Sequence, residues 1–321
     1  MLDFMLPVTL ARHAMATRFE LVLHGDNPAA LRAAGEEALD EIDRLENQLS
    51  LYRPGSEIAQ VNARAARESV RVTPEVFALL QHAQRLHAET GGAFDITIAP
   101  LMRCWGFMDG TGRVPTPEEL AEARSKVGMR HLQLDPQNRT VRFARHGVML
   151  DLGAIGKGYA VGQAAEILRA GGLTSALIHG GTSTVYAIGS PPGESCWQVA
   201  IETPPAAIGA VAFPKLPAVP LHDEAMSVSA TWGRFFESGG RSFGHVIDPC
   251  TGQPVNRSLL AMVALSSAME TDALSTALLT LGPDGQGKLA SKRSGMRTLM
   301  VAPGQGSLSL SCTGVLGMPA R

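Results

Sequence analysis

Apolar positions recur along the chain in two rhythms. Over Thr17–His24 they alternate with polar ones, the period of a strand, and Gly25-Asp26 marks a turn. From Asn27-Pro28, an N-cap followed by proline in the first helical position, the rhythm changes. Leu31, Ala38, Ile42, Leu45 and Leu49 fall on one stripe, and Glu36, Glu37, Asp40, Glu41 and Arg44 lie off it. That spacing predicts a surface helix packed on a core. Thr73-Pro74 and Thr116-Pro117 repeat the cap-and-proline start. Gly91-Gly92 and Gly171-Gly172 supply stops for helices predicted over Glu75–Thr90 and roughly Lys157–Ala170.

Short apolar runs predict strands at His131–Leu134 and Thr140–Phe143, separated by the turn Asp135-Pro136-Gln137-Asn138. Further strands are predicted at Thr174–His179, Thr184–Ile188, Trp197–Glu202, Met226–Ala230, Ala261–Ser266 and Arg297–Ala302. Hairpin-length connections outnumber helix-length crossovers, which predicts an α+β fold of mainly antiparallel sheets with flanking helices. The chain, 1–321, reads as one domain or as two tightly packed α+β lobes. The proline-rich stretch 203–223 reads as an insertion or long loop, and no fixed-period repeat is visible.

Composition narrows the function. Hydrophobic residues make up 45% and charged residues 18%, so a sizeable core is expected. A net charge of -2 provides no field to hold a polyanion, so nucleic acid is not expected as the main partner. Cys104, Cys196, Cys250 and Cys312 are scattered and read as ordinary thiols. Met1–Pro7 carries neither a basic region nor a long apolar one. A cytoplasmic protein is therefore expected, or a periplasmic one if a leader has been removed. No apolar run approaches the ~18 residues of a membrane span.

Three segments could carry chemistry. In Asp151-Leu152-Gly153-Ala154-Ile155-Gly156-Lys157-Gly158, a strand end runs through three glycines into a helix start with a lysine. Close backbone approach, free N–H groups and a cation all suit phosphate, although such a turn is as often purely structural. In Glu270–Leu279, Asp272, Ser275 and Thr276 stand at i, i+3 and i+4 of a predicted helix. Hard oxygen donors favour Mg²⁺ or Ca²⁺, and the alternative is a helix whose Thr276 bonds back to its own backbone. In Phe243-Gly244-His245-Val246-Ile247-Asp248-Pro249-Cys250-Thr251-Gly252, an imidazole enters an Asp-Pro-x-Thr-Gly turn. His245 could move a proton or be a hydrogen-bonded core residue.

Taken in order, these segments resemble the ApbE family of flavin transferases over nearly the whole chain. The resemblance extends to Met15-Ala16-Thr17-Arg18-Phe19, to Leu49–Ile58 with Tyr52 and Asn62, and to Gly91-Gly92-Ala93-Phe94-Asp95 with Trp105-Gly106-Phe107. It implies a T-fold-related architecture. It also implies a Mg²⁺-dependent transfer of FMN from FAD to a Ser or Thr hydroxyl of a target protein, with release of AMP. By resemblance Ala154 (through its carbonyl), Asp272, Ser275 and Thr276 would hold the metal. Met15, Tyr52, Ala93, Phe94, Asp95, Asp151, Lys157 and Val246 would line FAD, and His245 would accept the hydroxyl's proton. The partners implied are FAD and an acceptor protein with an exposed Ser/Thr segment. An FAD pyrophosphatase giving FMN and AMP, or a non-catalytic FAD-binding protein, are the alternatives. Thr182 stands where the family usually has Asp or Asn. Trp232 stands where it has Ser, which sets an indole near the expected site.

Overall fold

The first strand, β1 (Val8–Ala14), turns back through Met15-Ala16 into β2 (Thr17–Leu23), and both loop residues have positive φ, 49° and 58°. Such a two-residue loop matches the twist of the strands it joins. The computed structural model describes residues 6–204, 213–305 and 307–314. Helix α1 (Pro28–Leu49) begins where expected. Asn27 accepts from the Ala29 and Ala30 N–H groups, and Leu31, Ala38, Ile42, Leu45 and Leu49 are all buried. There follow α2 (Glu57–Arg64), β3 (Val70–Arg71), α3 (Pro74–Glu89), α4 (Ala99–Cys104), α5 (Pro117–Ser125), β4 (Leu132–Asp135) and β5 (Thr140–Phe143). Next come α6 (Gly156–Ala170), β6 (Ala176–Gly180), β7 (Thr184–Ile188), β8 (Trp197–Val199), β9 (Val219–Leu221) and β10 (Glu224–Ala230). The chain continues through β11 (Phe235–Ser238), β12 (Arg241–Gly244), β13 (Leu260–Leu265), α7 (Ala268–Leu281), α8 (Pro283–Ala290), β14 (Arg297–Pro303) and β15 (Leu308–Thr313).

Eight strands form one sheet in the order β1-β2-β6-β7-β10-β13-β14-β15, every pair antiparallel. The expected α+β class with antiparallel sheets is what the chain adopts. Alternation along each strand sorts side chains between two cores. In β13, Ala261, Val263 and Leu265 join the larger core, where α1, α6 and α7 pack. Leu260, Met262 and Ala264 join a second core on the other face, covered by the β8–β9 pair with Trp197, Val199, Val219 and Leu221. Strand β9 lies inside the stretch read as an insertion or loop; the centre of that stretch, 205–212, lies outside the described residues. A third cluster gathers Trp105, Phe107 and Phe243 with Leu101, Val127 and Ile247, and Phe236 packs against it. It holds the β11–β12 hairpin against the turn that follows α4.

Candidate active site

The approach to Asp151 is held from two sides. Asn62 on α2 clamps Leu150: the Leu150 N–H donates to Oδ1 at 2.7 Å, and Nδ2 donates to the Leu150 carbonyl at 3.0 Å. The Asp151 N–H then donates to the Ile96 carbonyl at 2.7 Å. Asp151 Oδ1 accepts from the Gly153 N–H at 2.7 Å, an Asx turn that delivers the chain into α6. Burial pushes the Asp151 carboxyl pKa up, opposed by that N–H and by the charges of Lys157 and Arg234. Lys157, in the first turn of α6, donates to the Gly153 carbonyl at 3.1 Å.

Helices α6 and α7 touch at Gly158. Its N–H donates to Asp272 Oδ2 at 2.9 Å, and a Cβ there would meet the Ala268 carbonyl oxygen at 2.2 Å. Asp272 is 4% exposed, and burial pushes its pKa up despite that bond and the nearby Lys157 charge. Its other oxygen accepts no hydrogen bond among the described residues. A buried carboxylate with one donor takes up either a proton or a cation. One turn on, Ser275 Oγ and Thr276 Oγ1 lie 2.9 and 3.1 Å from Ser229 Oγ on β10, and both donate to the Asp272 carbonyl. Thr276 does bond back to its own helix, and it also faces the neighbouring hydroxyls. Ala154, half-buried, stands just before Ile155, the N-cap of α6. No three His, Cys, Asp or Glu side chains gather as a metal cluster among the described residues. The oxygen set therefore rests on one carboxylate, hydroxyls and backbone, which suits a hard divalent ion rather than zinc.

Met15, Tyr52, Asp151 and Lys157 line one cleft of about 170 Å³, together with Ala16, Leu51 and Gly156. Tyr52 is 60% exposed at its mouth, so a planar ring could lie on it at little cost. Ala93, Phe94 and Asp95 do not line that cleft. They form a buried turn in which Asp95 Oδ1 accepts from the Thr97 N–H and hydroxyl at 2.7 and 2.6 Å, while Oδ2 lies 3.3 Å from His87 Nδ1. Asp95 borders a separate cavity of about 610 Å³ with His87, Arg124 and Cys250. Val246, partly buried, packs against the main core.

His245 follows β12 directly. Its backbone N–H and ring Nδ1 both approach the Arg234 carbonyl, at 2.9 and 3.1 Å. A carbonyl can only accept, so Nδ1 carries the proton and Nε2 keeps its lone pair. Burial lowers the ring's pKa to about 4; the carbonyl bond opposes this, and the Arg234 and Lys157 charges add to it. The ring is a neutral base at Nε2 throughout the physiological range.

Two residues that sequence reading did not single out stand here. Ser229 is the hub of the hydroxyl group, and its signal was visible: Ser227 and Ser229 interrupt an apolar strand at every second position, both turned toward α7. Arg234 had no such signal, since only folding brings residue 234 to residues 107 and 245. The indole of Trp232 does not intrude. It meets Phe213 edge-on at 5.5 Å in the second core, on the face of β10 opposite Ser229. Thr182 is exposed in the β6–β7 turn.

The model of the ApbE family matches residues 15–300. The chain is 30% identical to the FAD:protein FMN transferase of Klebsiella pneumoniae over 86% of its own length and 78% of the relative's. It is equally identical to that of Haemophilus influenzae, over 89% and 84%. Among solved structures it superposes on the ApbE protein of Thermotoga maritima with a TM-score of 0.83, 27% identity and 95% and 96% of the two chains covered. For the apo flavinyl transferase ApbE of Pseudomonas stutzeri the values are 0.82, 31%, 97% and 96%.

Proposed function

Since this chain belongs to the ApbE family and is an enzyme of the FAD:protein FMN transferase type, we propose that it moves FMN from FAD to a Ser or Thr hydroxyl of a target protein in a Mg²⁺-dependent reaction that releases AMP. The observation that carries this reading is the meeting of a buried, under-bonded carboxylate, Asp272, with the N-terminus of α6 beside a cleft lined by Met15, Tyr52, Asp151 and Lys157.

In this reading Asp272, Ser275, Thr276 and the Ala154 carbonyl would hold Mg²⁺, which would supply charge neutralisation for the diphosphate. The Lys157 ammonium holds the same anion. Tyr52 supports the isoalloxazine ring. His245 Nε2 takes the proton of the acceptor hydroxyl as its oxygen attacks the FMN phosphorus. The bond from that phosphorus to the bridging oxygen breaks, and AMP leaves with the oxygen. The acceptor protein, and a cytoplasmic or periplasmic setting, belong to the same proposal. No helix among the described residues is long and apolar enough to cross a membrane.

The test is to incubate the protein with FAD and Mg²⁺, with and without candidate acceptor proteins, and follow AMP together with protein mass. Covalent FMN on an acceptor, lost in Asp272→Ala, is the expected result. AMP and free FMN at the same rate without any acceptor would mean a pyrophosphatase, and intact FAD throughout would mean a binding protein.

A further inference from the structure

We propose that Trp105 is a positioning residue for His245, acting through the aromatic cluster and never touching substrate. This rests on the proton-accepting role proposed for His245. Trp105 is 2% exposed and does not line the cleft. Its Nε1 donates to the Gly252 carbonyl at 2.8 Å, at the far end of the turn that begins at His245. Its ring lies 5.5 Å from that of Phe243, two residues before His245, and Phe243 stacks on Phe236 at 5.3 Å. Trp105 thus grips the segment 243–252 on both sides of the imidazole.

The second hold comes from the same short stretch. The Phe107 carbonyl accepts from Arg234 Nη2 at 2.5 Å, and the Arg234 carbonyl is what fixes the His245 ring. The Phe107 ring also stands edge-on to the imidazole at 6.5 Å. Residues 105–107 therefore set both where the ring sits and which nitrogen faces outward. Arg234 and Lys157 are the charged groups whose fields reach that ring. A base so held keeps its lone pair aimed without reorganisation, and misplacing a reacting group by about 1 Å costs up to about a hundredfold in rate.

Trp105→Phe keeps a buried ring while deleting the indole donor and shrinking the ring. Three readouts decide the matter: AMP release from FAD with Mg²⁺ at saturation and an acceptor protein present, FAD binding, and the ¹⁵N signals of the His245 ring across a pH titration. The expected result is FAD affinity within about twofold of wild type, a rate lowered about tenfold or more, and a ring that loses its single tautomer and titrates closer to its ordinary pH. An unchanged rate and unchanged ring signals, with only the urea midpoint lowered, would overturn the proposal. If Trp105→Phe does not fold, Phe107→Leu retains the carbonyl and is judged by the same readouts. If His245→Ala keeps the full rate, the base role fails by itself. The ring signals in Trp105→Phe then still decide whether Trp105 sets that imidazole.

Discussion

Placing a methyl group on Gly158 tests the contact that joins the two helices of the site. Its Cβ would lie 2.2 Å from the Ala268 carbonyl oxygen and 2.6 Å from Asp272 Cβ, so α6 must retreat from α7 by roughly an ångström to restore ordinary contact. Alanine within a helix is favoured over glycine by about 1 kcal/mol. Against that stand overpacking, about 1–3 kcal/mol, and loss of the Gly158 N–H bond to a charged carboxylate, about 1.5–3 kcal/mol. The net expectation for Gly158→Ala is a loss of about 1.5–5 kcal/mol of stability, together with loss of FAD turnover. Gly162, one turn further along the same helix, supplies the control, because nothing lies within 4 Å of its Cβ position. Gly162→Ala should stabilise by about 0.5–1 kcal/mol and leave turnover intact. Urea midpoints and AMP release measured on both variants decide it. A Gly158→Ala protein as stable and active as Gly162→Ala would falsify the claim that this contact places Asp272.

Asp272→Asn should raise the urea midpoint at pH 7–8 without divalent cations and abolish turnover. Burial raises the folded-state pKa, so this carboxyl's contribution is present at low pH and lost as pH rises through the folded value; a lower midpoint in the amide would refute this. For His245, with a folded pKa of about 4, kcat/KM should stay level from pH 8 to about 5 and fall only toward pH 4. The unfolded ring takes its proton first, so stability should also decline as pH drops below about 6.5. A rate midpoint near 6.5 contradicts the buried ring. Ala16 has φ 58°, a left-handed conformation that glycine adopts without a Cβ penalty, so Ala16→Gly should stabilise by up to about 1 kcal/mol in thermal unfolding. A lower Tm would show that the turn carries no strain.

How much was legible follows from the range over which each signal acts. The cap Asn27, the stripe on α1 and the stops at Gly91 and Gly171 are local, and helices formed close to their expected bounds. Strand β8 stopped at Val199, short of the expected Glu202, because its partner β9 offers only three residues. Asp272, Ser275 and Thr276 could be placed on one helix from spacing. That Gly158 would meet them could not, since the contact joins residues 114 apart. Asp95 illustrates the converse. The resemblance set it among the residues that would line FAD, whereas its Oδ1 bonds Thr97 two residues on.

Ser227 and Ser229 face α7, whereas Met226 and Val228 face the second core. One residue added or removed within β10 would exchange these rows, burying thioether and isopropyl groups among the hydroxyls and stranding two serines in oil. Length variation among descendants of this chain should therefore collect in the connections, while β10 keeps its count even as its letters drift.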